Sequence, residues 1–249
     1  MDFSKIDALK HKLDTMRPLN SAELRRLRED FMVENTYHSN AIEGNTLTLR
    51  ETGLVLEGIT IAEKPLKMHL EVIGHKDAFA YMIKLADEHA PLTEAVIKEI
   101  HSLVMMHEAE TKGVYRSLPV TIRGAIQDPP QPYLVAPQME SLLAEWETLK
   151  KGKHIIEAVA AFHLRFEGIH PFLDGNGRTG RLLLNLELIK AGFLPVNIKF
   201  TDRSKYYACF DRFFGDEATA EPFVKLIAAY ETEELERRIQ ILEGREKQV

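Results

Sequence analysis

An all-α domain with one small β-hairpin is the fold this sequence predicts, and three observations point to it. Apolar residues recur at three- and four-residue spacing along most of the 249 residues. Several of those runs begin at a Ser, Thr or Asn, twice with a glutamate three residues later, the pairing that caps a helix start. One stretch, 113–137, breaks the pattern with five prolines and two glycines. Val120-Thr121-Ile122 is its only clear strand, and the stretch reads as a small hairpin or flap.

The elements follow in order. Phe3, Ile6, Leu9, Leu13 and Met16 lie on one face of a first helix. Asn20 with Glu23 starts a second, which carries Leu24, Leu27 and Phe31. Residues 34–44 have helical spacing of their own, with Gly44 as the stop. Thr48 and Glu51 form a capping box before a short helix that Gly58 ends. Pro65 suits the first turn of a long helix to about His89. Thr93 caps the next, with Val96, Ile97, Ile100 and Val104 inside it. After the flap, helices are predicted over about Gln138–Lys150, His154–Glu167 and Arg178–Ala191, the last stopped by Gly192. Asp202 is placed to cap a helix through Phe214, and Pro222 opens a long C-terminal helix.

Composition narrows the function classes. Hydrophobic residues make up 45% and charged residues 28%, values of a soluble globular protein that exclude disordered and fibrous classes. Thirty-eight acidic against 32 basic side chains give a net charge of −6, so nucleic acid binding is not expected. No run of 18 apolar residues occurs, and Met1–Arg17 has no apolar signal core, so no membrane partner is expected. The single cysteine, Cys209, excludes a disulfide framework and fits a reducing, cytoplasmic setting.

The chemistry concentrates in His170-Pro171-Phe172-Leu173-Asp174-Gly175-Asn176-Gly177-Arg178-Thr179-Gly180-Arg181, between two apolar helices. Glycines on both sides of Asn176 let backbone N–H groups turn inward as an anion nest. The nest runs into a helix N-terminus, which also attracts anions. Arg178 and Arg181, three apart, share a helix face, and two guanidinium forks beside a nest fit a polyphosphate. Asp174 offers the hard oxygen that Mg²⁺ takes when it also binds substrate phosphates. His170 exchanges a proton near neutral pH, and Phe172 is expected to pin the loop in the core. Each feature alone is common and structural; their coincidence in twelve residues is not. A calcium loop fails because Arg178 and Asn185 fall at ligand positions, a P-loop fails for want of its Gly-Lys-Ser/Thr, and zinc fails for want of H-E-x-x-H or paired cysteines.

This string resembles the signature of the Fic-domain family, H-P-F-x-[D/E]-G-N-G-R-x-x-R, at every specified position. The likeness extends to Gly113-x-Tyr115-Arg116, Val120-Thr121-Ile122 and Pro129-Pro130 as the family's flap. Asp202-Arg203-Ser204-Lys205-Tyr206-Tyr207 is similar to a segment of family members from the animal endoplasmic reticulum. By eye the resemblance covers residues 30 to 230.

The resemblance implies transfer of AMP from ATP to a Ser, Thr or Tyr hydroxyl of a protein target, self-modification included. His170 would be the general base and Asp174 the ligand of Mg²⁺ (or Mn²⁺). Gly175, Asn176 and Gly177 would stabilise the α-phosphate, Arg178 and Arg181 would bind the β- and γ-phosphates, and Tyr206 and Tyr207 would flank the nucleoside. Val120, Thr121 and Ile122 would dock an extended target segment by strand addition. Members of the family often dimerise, which leaves a homodimer open.

Ser39 and Glu43 are four apart at a helix end, where the helix dipole disfavours a carboxylate and a cation such as Arg181 would relieve it. Ser39-x-x-x-Glu43-Gly44 resembles the inhibitory motif of autoinhibited members that carry the brake before the Fic core. The implied brake is a Glu43–Arg181 pair that removes the γ-phosphate's anchor. The chain then divides into a helical extension, 1–30, a Fic domain, 31–230, with its inhibitory helix at about 34–44, and a C-terminal helix, 231–249. Competing readings are removal of AMP at the same site, transfer of another nucleoside monophosphate, a catalytically silent nucleotide sensor, and a helical DNA-binding regulator. Intact His170 disfavours the sensor, and the lack of a basic recognition helix disfavours the regulator.

Overall fold

The computed structural model describes residues 1–122 and 124–244. Ten α-helices and one 3₁₀ turn account for its regular structure among these residues: α1 (Ser4–Thr15), α2 (Ser21–Ile42), α3 (Leu49–Leu56), α4 (Leu66–Asp87), α5 (Glu94–Val104), α6 (Pro132–Gly152), α7 (Ile155–Ile169), α8 (Asn176–Lys190), α9 (Arg203–Phe214) and α10 (Glu221–Leu242), with the 3₁₀ turn at Phe200–Asp202.

The cap signals act as expected. Asn20 Oδ1 accepts from Glu23 N at 2.9 Å while Glu23 Oε2 accepts from Asn20 N at 2.9 Å. Thr48 and Glu51 repeat the arrangement, and Thr93 Oγ1 accepts from Val96 N. These bonds satisfy N–H groups that the first turn of a helix leaves free. Asp202 stands at the N-cap of α9 but does not cap it, because its carboxylate accepts from Lys205 Nζ and Tyr230 OH, each at 2.7 Å.

α8 is the axis of the molecule. Leu182, Leu183, Leu184, Leu186 and Leu188 are all buried, and α7, α4, α5 and α2 pack around it. A helix covered on nearly every side must also satisfy its polar residues inside. Asn185 does so by accepting from Val196 N at 2.8 Å and donating to Val196 O at 3.0 Å. α4 approaches α5 closely because Gly74 has no side chain: a β-carbon there would strike the carbonyl of Leu103. α1 lies against α10, joined by Lys5–Glu236 and Lys12–Glu243 ion pairs at 2.8 Å. Of the expected C-terminal helix 231–249, residues 245–249 lie outside the described residues.

Two further expectations are corrected. The hairpin over 113–137 does not form: among the described residues no strand is present there, and Val120, Thr121 and Ile122 are irregular, with the Ile122 carbonyl accepting from Ala125 N at 3.1 Å. Arg116 explains why the segment still holds its course. Its Nη1 donates to Leu118 O at 3.3 Å and its Nη2 to Pro130 O at 2.6 Å, so one guanidinium ties the two ends where a ladder would have. Pro119, Pro129 and Pro130 have no N–H to donate to such a ladder. Second, α6 begins at Pro132, ahead of the expected Gln138, and runs through Pro137. Pro132 occupies the first turn, where its missing N–H costs nothing, and Pro137 removes one bond to the exposed Tyr133. The residues expected as the inhibitory helix, about 34–44, are the last turns of the 22-residue α2 and its end.

Candidate active site

The loop 170–175 joins α7 to α8, and three devices fix it. His170 takes a left-handed backbone, φ 49° and ψ 61°, a conformation costing a non-glycine residue about 1 kcal/mol or more unless its surroundings impose it. Arg116 imposes it: Nε donates to His170 O at 2.8 Å, Nη2 to Ile169 O at 3.3 Å, and the Arg116 backbone N–H to Pro171 O at 2.9 Å. Asn176 closes a ring with Phe172, accepting from its N–H and donating to its carbonyl, both at 2.9 Å. Both polar atoms of the Asn176 side chain are thereby engaged in shaping the loop. His101 stacks on Phe172 with ring centroids 3.6 Å apart. Gly113 N–H donates to His101 Nδ1 at 2.8 Å, so Nε2 carries the proton and donates to Asp174 O at 2.9 Å.

The nest itself needs glycine twice. Gly175 has φ 77°, and a β-carbon on it would lie 2.7 Å from Met105 Sδ. A β-carbon on Gly177 would strike Glu43 Oε1 and Arg181 Nη1. Gly177, in the first turn of α8, lines a cavity.

The two arginines are buried, and each is already paired. Arg181 Nη2 donates to Glu43 Oε1 at 2.7 Å and to Ser39 O at 2.8 Å, and its Nε donates to Ser39 Oγ at 3.0 Å. Its Nη1 is buried without a hydrogen-bond partner, and its guanidinium carbon lies 5.8 Å from the ring centre of Tyr206. Arg178 Nη2 lies 3.2 Å from Asp174 Oδ1, and its Nη1 lies 3.4 Å from Glu71 Oε1. Asn45, just past the brake motif, donates from Nδ2 to Glu71 Oε2 at 2.9 Å. Both arginines are therefore linked to the end of α2, Arg181 directly and Arg178 through Glu71.

His170, Glu43, Glu167, Gly177, Tyr206, Tyr207 and Ile122 line one cavity of about 360 Å³. Burial pulls His170 down to about 4, so the ring is neutral, and a proton acceptor, near pH 7. Burial opposes ionisation of Asp174, but Arg178 and the Gly175 N–H hold it below the ordinary carboxylate range. Asp174 is more than half exposed, with one oxygen engaged by Arg178 and Gly175. An ionised, accessible carboxylate beside a phosphate-shaped nest fits Mg²⁺, which takes one or two protein carboxylates and completes its shell with substrate oxygens and water. No group of three or more potential ligands occurs among the described residues. Tyr206 is buried, and its hydroxyl shares a 2.8 Å hydrogen bond with His163 Nε2. Tyr207 is 38% exposed and turns toward Arg203.

His170, Gly175, Gly177, Arg178, Arg181, Ser39 and Glu43 are brought together around the first turns of α8. Glu71, His101 and Glu167 also stand in this region, outside the residues the sequence singles out. Glu167 has a signal, its spacing three residues before His170; Glu71 and His101 have none, each being one of several polar residues on helices far away in the chain.

Comparison with known proteins agrees with this geometry. Residues 91–188 match the Fic/DOC family. A Fic domain containing signaling protein from Bacteroides thetaiotaomicron superposes with a TM-score of 0.88 at 30% identity, covering 99% of this chain and 100% of that one. Fic-1 of C. elegans, residues 134–508, superposes with a TM-score of 0.85 at 30% identity over 98% of this chain and 72% of that one. Protein adenylyltransferase Fic of Nematostella vectensis is 36% identical over 231 residues, 91% of this chain and 53% of its own length. The chain belongs to the Fic family. It spans about half the length of the curated relatives it matches. No described helix is long and apolar enough to cross a membrane.

Proposed function

We propose that this protein transfers AMP from ATP to a hydroxyl of a protein target and that Glu43 holds it in check. The observation that carries the reading is the grip of Ser39 and Glu43 on Arg181 at the head of α8. A buried arginine in the second turn of a helix, held by a carboxylate that lines the cavity, is a phosphate site with a competitor already in place. Relatives named protein adenylyltransferase, at 33–36% identity, support the class of reaction.

In this reading ATP lays its phosphates along the nest, the α-phosphate on the N–H groups of Gly175 and Gly177, with Asn176 keeping the loop in shape. Arg178 takes the β-phosphate and Arg181 the γ-phosphate. Asp174 would hold Mg²⁺, or Mn²⁺, which when bound neutralises charge on the phosphates. His170 Nε2 takes the proton of the Ser, Thr or Tyr hydroxyl as its oxygen bonds to the α-phosphorus. The bond from that phosphorus to the bridging oxygen breaks, and pyrophosphate leaves. The parts are a preorganised cradle and one base, which is what phosphoryl-type transfer requires. Tyr206 and Tyr207 flank the nucleoside end, and the irregular segment Val120–Ile122, whose Ile122 lines the cavity, receives the target. Glu43, in the same cavity as His170, is also placed to hold a water that would remove AMP from a modified protein.

Within this reading residues 31–230 form the catalytic unit, with 1–30 and, among the described residues, 231–244 as helical elements beside it. The lone, buried Cys209 supports a cytoplasmic setting. Mass spectrometry of a lysate incubated with ATP and the Glu43→Gly protein tests the proposal. Target peptides carrying the mass of AMP on a hydroxyl residue are expected; a different added group, or none, contradicts it.

A further inference from the structure

Glu167 stands in the active-site cavity with no role in the reaction just described. Its side chain is only 11% exposed, and Oε1 is fully buried without a hydrogen-bond partner. Its Oε2 lies 4.0 Å from His170 Nδ1, which is also buried and whose other hydrogen-bonding neighbour is the backbone carbonyl of Glu167. The molecule makes room for this carboxyl at some cost. Gly180, in the middle of α8, has no side chain, and a β-carbon there would lie 2.6 Å from Glu167 Oε1 and 3.0 Å from His163 Cε1. Glycine is a poor helix residue, so an alanine there would favour the helix if Glu167 and His163 were elsewhere. A buried, unpaired carboxyl does not stabilise a fold either. Its surroundings suit a second task beside the base.

We propose that Glu167 is a positioning residue for His170: its carboxyl faces the ring's Nδ1 and fixes Nε2 as the atom that takes the hydroxyl proton, and Glu43 suppresses this arrangement while the brake is on. The proposal rests on His170 as the base of the transfer reaction. The charged and titratable groups around Glu167 are Glu43 from α2, Arg181 from α8, Tyr206 from α9, and His163 and His170 on or beside its own helix. Burial first and Glu43 second push Glu167 up to about 8, against the pull of Arg181, so with Glu43 in place the carboxyl is mostly protonated at neutral pH. Withdrawal of Glu43 removes the repulsive part of that shift while burial, its larger cause, remains, so the carboxyl becomes easier to ionise opposite the ring. The 4.0 Å gap is that of a braked, substrate-free site, where such contacts are long before they tighten. Glu43 then restrains the enzyme twice, once by occupying Arg181 and once by keeping the partner of the base uncharged. A carboxylate on the far nitrogen of a catalytic imidazole fixes its tautomer and stabilises the imidazolium that forms.

The test reads His170 directly. Ring nitrogens of ¹⁵N-histidine-labelled protein are followed by NMR against pH in four proteins: wild type, Glu167→Gln, Glu43→Gly, and Glu43→Gly with Glu167→Gln. In the Glu43→Gly background, loss of the Glu167 charge is expected to lower the His170 titration midpoint by at least about one unit. In the wild-type background the same change is expected to move it much less. Gly180→Ala, which displaces the carboxyl without removing it, is expected to act in the same direction in the Glu43→Gly background, and the ¹H–¹⁵N spectrum reports whether each variant is folded. In AMP transfer to the protein itself, Glu43→Gly with Glu167→Gln is expected to lose at least about tenfold in kcat with KM for ATP unchanged. An unchanged His170 midpoint and tautomer in both Glu167→Gln and Gly180→Ala would overturn the proposal and leave the backbone carbonyl of Glu167 as the ring's only partner. If Glu43→Gly transfers nothing, the transfer reading fails on its own, and the NMR comparison still decides the place of Glu167.

Discussion

Replacing Glu43 by glycine should convert a restrained enzyme into an active one, and the size of the effect follows from the Arg181 contacts. The N–O separation is 2.7 Å. At an effective dielectric of 20, two unit charges at that distance attract by about 6 kcal/mol. Desolvation offsets part of this: Arg181 is 5% exposed and Glu43 31%, so the carboxylate regains water when it leaves. Taking half as the surviving preference leaves about 3 kcal/mol, or about a hundredfold in the fraction of molecules whose Arg181 is free for a γ-phosphate. Ser39 continues to hold the guanidinium in place, so its orientation survives the substitution. The assay is incorporation of α-labelled ATP into the protein itself, wild type against Glu43→Gly, at matched concentrations. A rise of one to three orders of magnitude is expected. Equal or lower incorporation in a folded Glu43→Gly protein would refute the reasoning, because it would mean that Arg181 is not what limits the wild type.

Three further outcomes are expected. His170→Ala in the Glu43→Gly background should abolish transfer while retaining the rise in melting temperature on adding ATP and magnesium, since no phosphate rests on the ring; loss of both would move His170 from chemistry to binding. Arg116→Leu should lower stability in urea by about 3 kcal/mol or more, because a buried charge that donates to four carbonyls leaves all of them unsatisfied when removed; an unchanged midpoint would show that the left-handed backbone at His170 needs no such tether. Glu231 is fully buried, and burial raises it to about 8 even though Leu194 N–H donates to it. The folded state therefore keeps this proton where the unfolded chain has lost it, so stability should fall as pH rises from about 4.5 to 8, at a slope of up to about 1.4 kcal/mol per unit. Glu231→Gln should reduce that slope in urea titrations between pH 5 and pH 8 and be the more stable protein at pH 8; an unaltered slope would place the titration elsewhere.

Legibility in the sequence followed the range of the interaction. Helix starts at Asn20, Thr48 and Thr93 were readable because a cap is decided within four residues. Proline misled at Pro137, where a helix already begun tolerates the loss of one bond near its start. The hairpin was read from Val120–Ile122, but what those residues do depends on Arg116, which binds the segment's two ends and the carbonyl of His170 together. The phosphate loop was readable because its glycines, histidine and arginines are contiguous. The Arg181–Glu43 pair spans 138 positions, and it was anticipated because the motif that resembles a brake supplied the partner. Glu71 and His101, polar residues on α4 and α5, acquire meaning only once those helices stand beside α8. Glu167 was visible at helical spacing from His170, but its significance comes from Gly180, a residue on the other helix.

The most direct test of the central claim, that the loop after α7 presents the α-phosphorus of ATP to a hydroxyl activated by His170, is to give the Glu43→Gly protein ATP labelled at either the α- or the γ-phosphorus. The account predicts that the α label becomes acid-stable on protein and that the γ label leaves as pyrophosphate. Retention of the γ label on protein, with the α label left in the nucleotide, would contradict it and make the enzyme a kinase.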